Sequence, residues 1–201
     1  MLIGLDFDNT LICYDTLFHR VALEQELIPA DLPARKNCVR DYLRSHGQED
    51  KWTQMQGEVY GARISEAEPF PGMLETLKRL SQSGIPLCIV SHKTRTPYCG
   101  PAYDLHKAAR AWLTDRGFFS PLGLNWREEQ VFFEVTKQDK SQRITNLGCS
   151  HYVDDLPEIL EMLPDSIQKI LFSSADNVTI PETWWHLRNW YNFPELIGVS
   201  V

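Results

Sequence analysis

The feature that most constrains this chain is its opening stretch, Met1-Leu2-Ile3-Gly4-Leu5-Asp6-Phe7-Asp8-Asn9-Thr10-Leu11. It is an apolar run that breaks off into two carboxylates two residues apart, with a hydroxyl two residues further on. A short apolar run without a polar face predicts a buried parallel strand covered on both sides. Such a strand belongs to an open α/β sheet, whose ligands bind in the crevice outside the carboxyl ends of the strands. Residues i and i+2 of a strand share a face, so Asp6 and Asp8 are expected close together there. Like charges at that separation oppose joint ionisation unless a cation lies between them. Hard oxygen donors beside a phosphate favour Mg²⁺. On these residues alone a plainer reading stays open, a strand running into a polar turn with an Asx-type cap.

The rest of the chain repeats the alternation. A second apolar run, 85–90, ends in Ser91-His92-Lys93-Thr94. A third, 131–135, precedes Lys137 and Lys140, and a fourth, 151–153, delivers Asp154-Asp155; a fifth is 168–172. Helical spacing fills the gaps: Leu74, Leu77 and Leu80 before Gly84, then Leu105, Ala109, Trp112 and Leu113 before Gly117, and a pattern over 141–147 before Gly148. Strands separated by helices, with no hairpin turns, predict a doubly wound, mainly parallel α/β sheet.

Residues 13–68 differ in character. Leu17, Val21, Leu23 and Leu27, then Val39, Tyr42 and Leu43, then Trp52, Met55, Val59 and Tyr60 mark three polar, interrupted helices. Pro69-Phe70-Pro71-Gly72 punctuates their end. The expected division is a core of 1–12 with 69–201 and a small helical domain of 13–68; the alternative packs these helices on the sheet as part of the core. The C-terminal stretch, with Trp184, Trp185, Trp190, Tyr191 and Phe193, is expected as a terminal helix docked on its own core, or, if exposed, as an interface.

Four stretches together resemble the motifs of the haloacid dehalogenase (HAD) superfamily. Asp6-Phe7-Asp8-Asn9-Thr10 is similar to motif I, Asp-x-Asp-x-Thr, and Ser91 stands where motif II has Ser or Thr. Lys140 stands for the motif III lysine with Lys137 as competitor, and Asp154-Asp155 resembles the acidic motif IV. A lysine at a helix start opposes the helix dipole, which suits a bound anion. The resemblance covers about 1–11 and 69–173. It implies a Rossmann-like core with a helical cap between motifs I and II that selects the substrate. It implies Asp6 as a nucleophile that forms an aspartyl-phosphate, Asp8 as general acid and base, and Ser91 and Lys140 as stabilisers of the phosphoryl group. It also implies Mg²⁺ held by Asp6, the Asp8 carbonyl and Asp155, with Asp154 as the competing ligand. Thr10, His92 and Lys93 are expected to touch substrate, although His92 also reads as a merely polar turn residue. Asp at position 8 points to a phosphatase, since it can protonate a leaving alkoxide and then deprotonate water. Haloacid dehalogenases lack the metal cluster that Asp154-Asp155 suggests. The implied function is Mg²⁺-dependent hydrolysis of a small phosphate monoester; a phosphotransferase on the same scaffold and a non-catalytic binding protein are the alternatives.

Composition narrows the partners. A formal net charge of -7 argues against a nucleic-acid polymer but not against a phosphorylated metabolite, a nucleotide or a phosphoprotein. The five cysteines are scattered without a Cys-x-x-Cys pair, which suggests neither a disulfide framework nor a zinc site, and Cys88 is expected as a small core residue. No basic and apolar leader opens the chain and no apolar run reaches about 18 residues, so no membrane is expected and a cytoplasmic location is.

Overall fold

The computed structural model describes residues 1–175 and 178–199. From the amino terminus run β1 (Ile3–Leu5), β2 (Ile12–Cys13), α1 (Asp15–Glu24), α2 (Lys36–Ser45), α3 (Glu49–Tyr60), β3 (Glu68–Pro69) and α4 (Met73–Gln82). Next come β4 (Leu87–His92), α5 (Leu105–Asp115), β5 (Val131–Glu134), α6 (Lys137–Asn146) and β6 (His151–Asp154). The chain closes with α7 (Pro157–Glu161), β7 (Gln168–Phe172), β8 (Trp185–Leu187) and α8 (Phe193–Leu196). These elements divide into two compact units, one of Met1–Ile12, Pro69–Lys93 and Gly117–Val201, the other of Cys13–Glu68 and Thr94–Arg116. The expected division placed 94–116 with the sheet, whereas α5 groups with the helical unit. The indole of Trp112 on α5 donates to the Ala67 carbonyl at 2.8 Å, a contact no local pattern announces.

In the sheet unit six strands pair in parallel in the order β5-β4-β1-β6-β7-β8. The order reverses at β1, with β4 and β5 on one side and β6 to β8 on the other, which is the topological switch point where ligands of such sheets bind. Leu5 pairs with both Ile89 and Val153, so the residues that follow, Asp6 and Asp154 among them, reach one edge together. All of β1 is buried, as its unbroken apolar run requires. Gly4 is needed there: a Cβ would lie 2.7 Å from the Tyr152 ring and 3.0 Å from Cys149 Sγ. One face of the sheet packs Cys88, Val90, Tyr152 and Leu171 against Ile144 of α6 and Ile159 and Leu160 of α7. Each aliphatic side chain so buried contributes about 1.5–3 kcal/mol.

The helical unit closes on Tyr14, Phe18, Val39, Leu43, Trp52, Met55 and Val59, all buried, with Phe18 and Trp52 ring centroids 4.8 Å apart. Gly47, at φ 68, ends the α2 segment in the left-handed conformation. Among the described residues no helix is long and apolar enough to cross a membrane.

Three boundaries depart from expectation. β4 runs to His92, so Ser91 stands inside the strand, and Lys93 still donates its N–H to the Glu134 carbonyl at 2.8 Å. α6 begins at Lys137, capped by the Thr136 hydroxyl, which accepts from Asp139 N at 3.0 Å; Lys140 is therefore one turn inside the helix. The C-terminal aromatics form no long helix. Trp185–Leu187 pairs with β7 as an edge strand, in keeping with the strand preference of aromatic residues, and Trp190 and Phe193 are fully buried.

Candidate active site

The ends of β1, β4 and β6 and the second turn of α6 bring Asp6, Ser91, Asp154 and Lys140 together, all buried. Asp6 Oδ1 accepts from the Ser91 hydroxyl at 2.8 Å and from Lys140 Nζ at 2.6 Å. The same ammonium donates to Asp154 Oδ2 at 2.6 Å, so one lysine bridges two carboxylates out of reach of water. The other oxygen of Asp154 accepts from the Leu156 N–H at 2.9 Å. Burial works against the charge on Lys140, but Asp154 and Asp6 together outweigh it and raise its pKa. Burial pushes the Asp154 carboxyl up to about 7 against the opposing pull of Lys140. Lys137, the competitor, pairs at the surface with Glu158 instead.

Asp8, too, is held by a lysine. Its two oxygens accept from Lys93 Nζ at 2.9 and 2.7 Å, so each of the two motif I carboxylates has a lysine of its own. Lys93 was expected on substrate but is almost wholly buried on Asp8, with its ammonium 5.5 Å from the centre of the Phe7 ring. The signal for this lay in the period of the strand: Ser91 and Lys93 are i and i+2 and face the same way. Thr10, also expected to touch substrate, is fully buried, and its hydroxyl donates to Asp6 Oδ2 at 3.4 Å. His92 Nε2 lies 3.1 Å from the Val135 carbonyl, and burial lowers its pKa, ahead of the opposing effect of that hydrogen bond.

Asp6, Asp154 and Asp155 each offer a carboxylate oxygen, and these atoms lie within 4.8 Å of one another. The donors are all hard oxygens, a set that fits a hard divalent cation. Both Asp154 oxygens are engaged inside the protein, one by the Lys140 ammonium and the other by the Leu156 N–H.

The fold is that of solved HAD-superfamily hydrolases. No family model matches the chain. Among individual proteins it is 24% identical to a protein of Oceanobacillus iheyensis named "Putative nucleotidase", over 96% of this chain and 97% of that one. A haloacid dehalogenase-like hydrolase of Streptococcus pneumoniae superposes with a TM-score of 0.63 at 15% identity, covering 98% of this chain and 97% of that one. A HAD family hydrolase of Deinococcus radiodurans with bound phosphate and sodium superposes at 0.60 and 14% identity, covering 99% and 97%.

Proposed function

We propose that this chain is a Mg²⁺-dependent phosphatase that hydrolyses a small phosphate monoester through an aspartyl-phosphate on Asp6. The observation that carries the reading is the Lys140 ammonium set between Asp6 and Asp154, with the Ser91 hydroxyl on the same Asp6 oxygen. Fold alone would not decide the chemistry; this constellation supports phosphoryl transfer to a carboxylate.

In the first step an Asp6 oxygen forms a bond to phosphorus as the ester P–O bond breaks, and Asp8 gives a proton to the leaving oxygen. Ser91 and Lys140, both in reach of Asp6, stabilise the phosphoryl oxygens as charge moves onto them. In the second step Asp8 takes a proton from water, the water oxygen attacks phosphorus, and the Asp6–phosphorus bond breaks to release phosphate. Lys93 holds the Asp8 carboxylate in place for both transfers. Asp6, the Asp8 carbonyl and Asp155 are the groups that would hold Mg²⁺, which when bound offsets the charge of the phosphate. The helical unit acts as the substrate-selecting cap. The name of the Oceanobacillus relative makes nucleoside monophosphates the first substrates to try, ahead of sugar phosphates.

The test is release of inorganic phosphate from an aryl phosphate and from a panel of nucleoside monophosphates and sugar phosphates, with and without Mg²⁺. Asp6→Asn is expected to lower kcat by at least about a thousandfold while the circular dichroism spectrum is unchanged. An equally active Asp6→Asn protein, or a folded wild type that hydrolyses nothing on the panel, would sink the reading. Phosphorylation of an added alcohol in place of water would shift it to a phosphotransferase.

A further inference from the structure

The aromatic C-terminal stretch has no place in the phosphate chemistry just described, yet it reaches the same residues. Trp190 is fully buried, with the rings of Phe172 and Phe193 at centroid distances of 5.7 and 5.3 Å. Its backbone carbonyl accepts from the Thr76 hydroxyl of α4 at 2.9 Å, which fastens the segment to the sheet unit. Its indole N–H crosses 180 positions of sequence to donate to the Thr10 carbonyl at 3.1 Å. An indole can only donate, so of the groups on the motif I turn it selects a carbonyl.

That turn needs outside support. β1 has ended at Leu5, and Asn9 takes a left-handed φ of 59°, a conformation that costs energy for a residue with a side chain. Leu11 N and Ile12 N both donate back to the Phe7 carbonyl, and the Leu11 carbonyl accepts from Phe70 N at 2.9 Å. The Thr10 carbonyl is buried, and a buried carbonyl left without a donor is costly. Next to Trp190, Tyr191 lies against Gly72: a Cβ there would come 2.7 Å from its ring, and the φ of 78° independently favours glycine. The C-terminal segment is thus seated on both chain passages that bound the turn.

We propose that Trp190 is a positioning residue of the active site: its indole N–H fixes the Thr10 peptide and, through the Thr10 hydroxyl, the orientation of the Asp6 carboxylate. The proposal rests on the reading of Asp6 as the nucleophile, and its test separates the two. Trp190→Phe keeps an aromatic ring and removes the N–H. Thr76→Val loosens the same segment from α4 without touching Thr10. At a temperature where both variants are fully folded, Trp190→Phe is expected to lower kcat on an aryl phosphate about tenfold with KM within about twofold, and Thr76→Val to leave both within about twofold. Hydrogen exchange gives a second readout that needs no turnover. The amides of Leu11 and Ile12 should exchange at least about tenfold faster in Trp190→Phe and at the wild-type rate in Thr76→Val. If Trp190→Phe folds poorly, benzothienylalanine at position 190, which puts sulfur in place of the N–H within the same bicyclic outline, takes its place. Wild-type kcat and exchange in the N–H-deficient protein, or equal losses in Thr76→Val, would overturn the proposal. A wild type without hydrolytic activity would overturn the phosphatase reading alone, and the exchange result would still decide the role of Trp190.

Discussion

In the helical unit Arg63 gathers Glu24, Glu58 and Glu66 at the surface; in the sheet unit Lys140 gathers Asp6 and Asp154 away from solvent. The glutamate side chains around Arg63 are 33–47% exposed, and those of the two aspartates 6% and 0%. The units also differ in balance, with 11 Lys and Arg against 12 Asp and Glu in the helical unit and 9 against 15 in the sheet unit. Exposed pairs contribute little, since water and salt screen them. Buried pairs cost desolvation that their attraction scarcely offsets, so stability alone does not explain them. The surplus of carboxylates lies in the unit that holds the acidic cluster of Asp6, Asp154 and Asp155.

The largest expected effect comes from removing the buried cation. Lys140→Met leaves Asp6 and Asp154 facing each other without compensation, and should cost about 3–5 kcal/mol in urea unfolding together with at least a hundredfold in kcat. A variant that keeps wild-type stability and rate would erase the contrast between the units.

A smaller effect sharpens the contrast within the acidic cluster. Saturating Mg²⁺ should raise the wild-type Tm by about 5 °C or more, through binding to the folded state alone. Asp155→Asn is expected to lose that shift with little change in metal-free Tm, whereas Asp154→Asn lowers the metal-free Tm itself because Lys140 loses a partner. The opposite pattern, read by differential scanning calorimetry, would make Asp154 the ligand.

The smallest effect belongs to the surface. Hydrogen bonds from Arg63 are the main cause that holds Glu24 and Glu66 below the ordinary glutamate value of 4.5. A carboxyl whose pKa is lowered on folding adds stability above its unfolded value and loses it as pH falls through the folded one. The wild type should therefore lose stability more steeply than Arg63→Ala below about pH 4.5. At pH 7 Arg63→Ala should lower Tm by no more than about 3 °C and leave kcat unchanged. Melting curves between pH 3 and 7 with one rate measurement check all three statements; a loss as large as that of Lys140→Met would break the comparison.

Much of this architecture is legible in local pattern. The unbroken apolar run of β1 followed by Asp6 and Asp8 announces a buried parallel strand with a functional tip, and Ser91 and Asp154 stand at the ends of the next runs of the same kind. Gly47, Gly84 and Gly117 mark helix ends because each follows a helix in the left-handed conformation that glycine adopts most readily. Burial, direction and termination are written in periods of a few residues, and those the sequence alone determined.

Pairings between distant segments were decided only by the tertiary structure. Lys140 prevails over Lys137 because α6 starts at the Thr136 cap and turns its second turn inward, where two carboxylates offset the burial of the charge. Lys93 reaches Asp8 where the pairing of β4 with β5 continues past His92, from Lys93 N to the Glu134 carbonyl. Thr10 serves Asp6, α5 joins the helical unit, and Trp185–Leu187 becomes an edge strand because β7 presents unpaired backbone groups to it. Trp190 finds Thr10 across 180 residues. Side-chain chemistry proposes such partners in numbers; which of them meet depends on where packing and backbone hydrogen bonding bring the chain back upon itself, and no short window of sequence contains that information.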